Sequence, residues 1–269
     1  MTEYQFGFIG CGNMGGALAI ALAKTVPAKN ILLADATREK ANALAQRLSA
    51  SVTSTEQIAK VCDFIFLGVK PQNYSALFDE ISPILQNRPV KPVLISMAAG
   101  ISIKAVEQMV DTSIGVIRIM PNTPVAVGEG MILYDANETV EKDALDAFVT
   151  AMQNAGSLDR LPEHLIDAAS ALSGCGPAFV YLFAEAIADG AVECGLPREK
   201  ASAYAAQTLL GAAKMLKESG KCPGELKDAV CSPGGTTIAG VHALESGAFR
   251  ATAMSAVTAA YEKTLKLKN

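Results

Sequence analysis

The sequence predicts an α/β chain: a mostly parallel N-terminal sheet covered on both faces, followed by a half made of helices alone. Short β-rich apolar runs alternate with helical patterns from the first residue to about residue 160, the pattern of a parallel sheet with crossover helices. The runs are continuously apolar, with no polar alternation, as in strands buried on both faces. Beyond "RLPEHLID" strand signals stop.

The strand-like runs are "YQFGFIG", "NILLAD", "DFIFLGVK", "PVLISMA" and "IGVIRIM". Between them "GGALAIALAK", "REKANALAQRL", "YSALFDEISPIL" and "SIKAVEQMV" carry apolar residues at helical spacing. This sets a first domain at 1–161 and a second at 162–269. In the second, helices are expected at about 162–172, 177–194, 197–219 and 224–231, with two more after a Pro-Gly-Gly break. Within "GPAFVYLFAEAIADGAVECGL" the polar positions Tyr181, Glu185, Asp189 and Glu193 form one narrow stripe, and the rest of the helix is apolar. Such a helix must be buried on most sides. A domain of roughly 110 residues cannot cover several such helices by itself, so this half is expected to pack against its copy in a homodimer.

Half of the 269 residues are apolar and 19% are charged, enough for a sizeable core. The net charge of −4 argues against a general affinity for nucleic acid or anionic membranes. The six cysteines form no CxxC pair and there are only two histidines, so no metal site is expected. The opening "MTEYQFGFIG" lacks a basic start and a long apolar stretch, and "AASALSGCGPAFVYLFA" is short and broken by Gly-Cys-Gly-Pro. Neither reads as a secretory signal or a membrane span. A reducing, cytoplasmic compartment is expected.

"GFIGCGNMGGALA" places Gly10-x-Gly12-x-x-Gly15 between the first strand and the first helix. Three glycines at this spacing serve a tight turn, close approach of backbone to a pyrophosphate, and close helix–strand contact. The N–H groups that follow face an anion where the helix dipole favours one. The motif makes Gly10, Cys11, Gly12, Asn13, Met14 and Gly15 candidate dinucleotide-binding residues of a Rossmann-type domain. An acid about twenty residues on completes the pattern, and Asp35 closes "NILLAD". A carboxylate there suits the ribose hydroxyls of NAD, whereas Thr37 and Arg38 follow at once and Arg38 can pair with the 2′-phosphate of NADP. Asp35 can equally cap a helix start in "DATRE". NADPH and NADH both stay open, with NADP slightly ahead. Val69, Lys70 and Pro71 of "LGVKP" and Ala98, Ala99 and Gly100 of "SMAAG" lie at carboxyl ends of strands, where open α/β sheets bind ligands. Pro121 and Asn122 of "RIMPNTPVAVGEG" join them as cofactor-binding candidates, in a loop that proline stiffens and Asn122 and Thr123 supply with hydrogen bonds.

Taken together, "GFIGCGNMG", "VKP", "RIMPNTP", "SGCGPAF" and "LKDAVCSPGGTTIAGVHALESGAFR" resemble pyrroline-5-carboxylate reductases, in family order from residue 6 to about residue 250. The resemblance implies a Rossmann domain plus a helical dimerisation domain, and reduction of Δ1-pyrroline-5-carboxylate to L-proline by NAD(P)H, the last step of proline biosynthesis. It implies an active site between the Rossmann domain of one subunit and helices of its partner, and assemblies of dimers up to rings of five. By similarity, Ser232, Gly235 and Thr236 hold the substrate carboxylate, and Thr237 hydrogen-bonds the ring nitrogen as the catalytic residue. Gly234 and Gly235 leave the backbone free to curve into a helix start whose unpaired N–H groups attract an anion. A threonine that merely caps a helix uses the same geometry, and the residues alone leave both readings open.

A protonated imine already accepts hydride, so orientation supplies much of the rate, while a carbonyl needs a proton donor such as His, Lys or Tyr. His164 and His242 both read as ordinary helix residues. Cys175 stands where the family often carries serine; it can be a thiol at a helix start, but reads as a small buried residue. Glu185 and Asp189 are as much a solvated stripe as site residues. Another imine or β-hydroxyacid reductase of the same plan is the alternative enzyme, but "HLIDAASALSGCGPAF" lacks the lysine that hydroxyacid enzymes place there. A non-catalytic dinucleotide sensor is the third reading, against which the intact Ser-Pro-Gly-Gly-Thr-Thr loop argues.

Overall fold

The computed structural model describes residues 4–110 and 113–266. The first three residues of the opening segment read for a leader lie outside it. In chain order the elements are β1 (Phe6–Ile9), α1 (Asn13–Leu22), β2 (Ile31–Ala34), α2 (Arg38–Leu48), β3 (Ser51–Val52), α3 (Thr55–Val61), β4 (Phe64–Leu67) and α4 (Tyr74–Asn87). Then come β5 (Val93–Ser96), α5 (Ile103–Val110), β6 (Gly115–Pro121), β7 (Gly130–Ala136), α6 (Lys142–Met152), β8 (Gly156–Arg160) and α7 (Glu163–Ser173). The remainder is α8 (Gly176–Glu193), α9 (Arg198–Ser219), α10 (Pro223–Ala229), α11 (Thr236–Ser246) and α12 (Phe249–Lys266).

The strands form one sheet in the order β3-β2-β1-β4-β5-β6-β7-β8. All neighbours run parallel except β6 and β7. The chain leaves β1 toward β2 on one side and returns to β4 on the other, which opens a crevice at the carboxyl ends of β1 and β4. The pleat sorts the core into two layers. Phe6 and Phe8 stack on Phe64 and Phe66, with ring centroids 5.0 and 4.3 Å apart, on the face covered by α1 and α6. Ile9, Ile65 and Leu67 point the other way, into Ile58, Tyr74, Phe78 and Val106 of α3, α4 and α5. Burial of both faces explains the continuous apolar runs in the sequence.

Five elements lie outside the patterns that hydropathy singled out: β3, β7, β8, α3 and α6. The edge strands β3 and β8 are largely exposed and polar, so no apolar run marks them. Helix α3 has only 7 residues. Strand β7 is set by its antiparallel register on β6, with Ile119 opposite Tyr134.

Two compact units are distinguished by their contacts, one reaching to Cys175 with a C-terminal stretch from Ala260, the other spanning Gly176–Ala259. Helix α7, placed by sequence at the start of the second domain, stays with the sheet for an electrostatic reason. Arg118 on β6 is only 2% exposed. Its Nη1 donates to Glu163 Oε1 at 3.1 Å and its Nη2 to Asp167 Oδ1 at 2.7 Å, both on α7. Glu163 Oε1 also accepts the Ile103 N–H at 2.7 Å, and the Glu163 N–H donates to Asp135 Oδ2 at 2.8 Å. Arg118 therefore fastens α7 to β6, and Glu163 ties the same helix to β7 and α5. The stretch Glu163–Glu193 is long and apolar enough, by length and composition alone, to cross a membrane, yet its first turns hold the two acids that pair with Arg118.

In the second unit α8 packs on α9 through the small residues Ala188, Ala201 and Ala205. Little else there is buried within one chain. Val180 and Leu182 on α8, Leu244 on α11 and Phe249 on α12 are exposed, and they line an apolar groove of about 610 Å³.

Removing one partner of a buried ion pair strands the others without compensation, at a cost of about 3–5 kcal/mol. Arg118→Ala is expected to lower stability by that order in urea denaturation; a loss below about 1 kcal/mol, the scale of an exposed pair, would refute the fastening role.

Candidate active site

At the sheet crevice, backbone meets backbone. Gly10 has φ +103°, and a Cβ there would lie 2.6 Å from the Gly68 carbonyl carbon and oxygen. A Cβ on Gly15 would lie 2.2 Å from Gly10 O, and one on Gly68 2.6 Å from the same oxygen. Three glycines thus let the β1 loop, the first turn of α1 and the end of β4 touch without side chains between them. Gly12 differs: a Cβ there would meet nothing within 4 Å. It serves open space in front of the loop.

That space is a cleft of about 480 Å³. Gly12, Asn13 and Met14 form one wall, Val69, Lys70 and Pro71 another, and Ala98 and Ala99 add to the lining. Helix α1 starts at Gly12 with no side-chain cap and no acid in its first turn. Its first N–H groups are therefore available to an anion, which the helix dipole favours. A helix start with free N–H groups, Gly12 without a Cβ facing open space and two lining lysines fit the phosphates of a dinucleotide.

The remaining sequence candidates take supporting positions or lie outside the lining. Gly10, Cys11 and Gly15 form the base of the turn. Asp35 turns both oxygens to backbone: Oδ2 accepts the Cys11 N–H at 2.7 Å and Oδ1 the Thr37 N–H at 2.8 Å. Thr37, not Asp35, is the N-cap of α2, and its side chain makes no capping bond. Arg38, Gly100, Pro121 and Asn122 do not line the cleft. Asn122 instead spends its amide on the chain, with Nδ2 donating to Ser173 O at 2.9 Å and Oδ1 accepting the Met131 N–H at 2.8 Å. Burial, and then the neighbouring Asp35, push the Cys11 thiol up to about 12, so it stays protonated and unreactive.

Sequence reasoning missed Lys40, Gly68 and Met97 in the lining. Gly68 and Met97 sit inside the quoted "LGVKP" and "SMAAG". Lys40 was findable from helix geometry, because side chains lean toward the N-terminus and the third residue of α2 reaches back over its start. Tyr74 was missed as well: its hydroxyl donates to Leu67 O at 3.2 Å and lies 3.1 Å from Ser96 Oγ, joining the ends of β4 and β5.

The second element is the start of α11. Gly234 has φ +69°. Gly235 is the N-cap, and a Cβ on it would lie 2.3 Å from Ser232 Oγ. The Gly235 N–H donates to Ser232 O at 3.0 Å, closing the turn. No side chain caps the helix and its first turn carries no acid. Thr236 is therefore the first helical residue and not the cap, and Ser232, Thr236 and Thr237 are exposed around a set of free N–H groups. His164 and His242 both sit in helices, α7 and α11. Asp189 pairs with Arg198.

Comparison with known proteins bears on both elements. A family model described as pyrroline-5-carboxylate reductase dimerisation matches residues 163–267, and one described as NADP oxidoreductase, coenzyme F420-dependent, matches residues 5–100. Pyrroline-5-carboxylate reductase 3 of Danio rerio is 41% identical, covering 99% of this chain and 92% of that protein. Pyrroline-5-carboxylate reductase of Escherichia coli strain K12 is 37% identical, with 98% of each covered. Among solved structures, the pyrroline carboxylate reductase of Plasmodium falciparum with NADP bound is 34% identical with a TM-score of 0.86, and that of Coxiella burnetii 31% identical with a TM-score of 0.91, each covering 100% of both chains.

Two substitutions separate the jobs of the glycines. Gly12→Ala is expected to weaken dinucleotide binding at least about tenfold, or about 1.4 kcal/mol, with the melting temperature unchanged; Gly15→Ala is expected to lower the melting temperature. Calorimetric titration and thermal melts check both, and a Gly12→Ala protein that binds normally would contradict the cradle. The Cys11 thiol favours folding fully below its ordinary pKa of 9.0, and that contribution is lost as pH rises toward about 12. In native protein at mildly alkaline pH, iodoacetamide should label exposed Cys194 and Cys222 while sparing Cys11, as peptide mapping would reveal.

Proposed function

The chain belongs to the pyrroline-5-carboxylate reductase family, and on that premise we infer how its residues divide the reduction of the C=N bond of Δ1-pyrroline-5-carboxylate to L-proline, the closing step of proline biosynthesis. The observation that carries the reading is the α11 start, a glycine-capped helix with Ser232 folded under it and no side chain consuming its N–H groups.

The reduced nicotinamide, when bound, supplies the hydride. The substrate's carboxylate takes the free N–H groups of α11 together with Ser232 Oγ and the Thr236 hydroxyl, with Gly234 and Gly235 shaping the turn. Thr237 holds the ring nitrogen, which keeps its proton as the neighbouring carbon accepts hydride and the C=N bond becomes a C–N bond. No side chain has to deliver a proton to a developing alkoxide, so the absence of histidine from both glycine loops suits an imine and not a carbonyl. A small acid without an arginine partner is held by oriented backbone dipoles, as anions at helix starts commonly are.

The cofactor is a nicotinamide dinucleotide, and NADPH is the form favoured here. A relative solved with NADP bound supports this. The helical half self-associates, consistent with its match to a dimerisation model. A homodimer covers the exposed apolar face of α8 with a second copy in place of lipid, and five such dimers in a ring form the larger assembly. A cytoplasmic location completes the proposal, supported by six free thiols.

Oxidation of NADPH in the presence of pyrroline-5-carboxylate, against hydroxyacids and a blank, tests the activity. Thr237→Ala is expected to reduce turnover by about 10²-fold, the lower end of what one positioned group contributes, while cofactor affinity stays within about twofold. Equal losses in both, or none, would remove Thr237 from its assigned role.

A further inference from the structure

We propose that the Tyr74 hydroxyl is a positioning group for hydride transfer, holding together the two loops that border the nicotinamide half of the cofactor. The inference rests on the dinucleotide reading of the cleft. It goes beyond that reading by giving a function to a buried residue outside the lining.

Two segments wall the cleft on the side of β1 away from β2: residues 69–71, which follow β4, and residues 97–99, which follow β5. In doubly wound sheets each half of the strand order takes one mononucleotide, and the acid after the second strand marks the adenosine half. The β4 and β5 loops therefore face the nicotinamide half.

Both loops start at residues that Tyr74 holds. Its hydroxyl donates to the carbonyl of Leu67, the last residue of β4, at 3.2 Å, and lies 3.1 Å from Oγ of Ser96, the last residue of β5. A phenol has one proton to give, so with that proton on Leu67 O the Ser96 hydroxyl donates in return. Tyr74 opens α4 directly after the 3-10 turn Pro71–Asn73. The bond to Leu67 thus clasps the β4 loop at its two ends, and the bond to Ser96 ties that loop to its neighbour. On the other side the Gly68 N–H donates to Ile9 O at 2.7 Å, which pins the same loop to β1.

Packing alone would be served by phenylalanine. The Tyr74 ring lies against Phe78 with centroids 5.8 Å apart, and neither Tyr74 nor Ser96 is exposed to solvent. Burial pushes the Tyr74 hydroxyl up to about 12, against the opposing effect of bonds from Ser96 and from the Met97 and Ala98 backbone. It stays a neutral donor, and what it adds to the ring is the link between two strand ends.

Tyr74→Phe keeps the ring and removes the link. In calorimetric titration of the full chain it is expected to raise the Kd for NADPH about 3- to 10-fold, the range that one neutral hydrogen bond spans. The Kd for adenosine 2′,5′-bisphosphate, which lacks the nicotinamide half, should stay within about twofold. Turnover at saturating NADPH and pyrroline-5-carboxylate should fall about tenfold, because misplaced reacting atoms cost rate steeply. Ser96→Ala removes the other end of the tie and should separate the two ligands in the same way, with the double variant less than additive. It carries the test by itself if Tyr74→Phe does not fold. Lower melting temperatures with NADPH affinity and turnover unchanged would make the hydroxyl a purely structural group and overturn the inference. Equal weakening of both ligands would overturn it as well, as a general loosening of the cleft. If the unsubstituted chain bound neither ligand, the dinucleotide reading itself would fall, and this inference with it.

Discussion

The chemistry proposed for this protein depends on helix starts left uncapped by glycine. An ordinary helix begins with Ser, Thr, Asp or Asn, whose side chain consumes one of the free N–H groups. Helices α1 and α11 begin with Gly12 and Gly235, and neither has a side-chain cap or an acid in its first turn. By contrast α3, which holds no site, is capped by Ser54, whose hydroxyl accepts the Gln57 N–H at 3.2 Å. The same physical device, a helix start capped by glycine and left without an acid, is thus found in each half of the chain. One start suits a pyrophosphate, the other a carboxylate.

Holding such starts open requires rigidity behind them. At α1 it comes from contact between backbones at Gly10, Gly15 and Gly68, where no side chain fits. The end of β4 is further secured by the Tyr74 hydroxyl. At the far side of the sheet the Arg118 network has a comparable role: a buried guanidinium with two carboxylates orients α7, whose last residue gives its carbonyl to Asn122. Buried charge of this kind is costly to desolvate and adds little stability over an apolar packing. Its value is in fixing one arrangement.

Much of this was legible in the sequence, for reasons that differ by residue. Gly10, Gly12 and Gly15 announced themselves because glycine is needed where backbone approaches backbone or ligand, and their spacing matches a strand–turn–helix unit. The boundaries of α7, α8 and α9 followed from Gly, Pro and the apolar spacing. What sequence could not supply was the direction of polar side chains. Asp35 and Asn122 have the composition of ligand-binding residues, yet they bind the chain's own backbone, and nothing in local pattern separates the two uses. Arg118 sits in an apolar strand as a lone charge, and only the fold reveals its partners 45 and 49 residues away. At the α11 start, only the fold reveals that Gly235, and not Thr236, occupies the cap position.

The thin packing between α8 and α9, three buried alanines with Ile187, Ala191, Val192 and Leu196 half-buried against them, has a further consequence. A core this thin buries little surface for a helical unit of this length, and self-association adds to its cohesion. Its persistence is then set by mass action and is inseparable from how much protein is present. The sheet half, with its two complete apolar layers, has no such dependence. On dilution, grip on the nucleotide would outlast grip on the small acid, and the cell's supply of the polypeptide would govern catalytic competence more steeply than simple proportion.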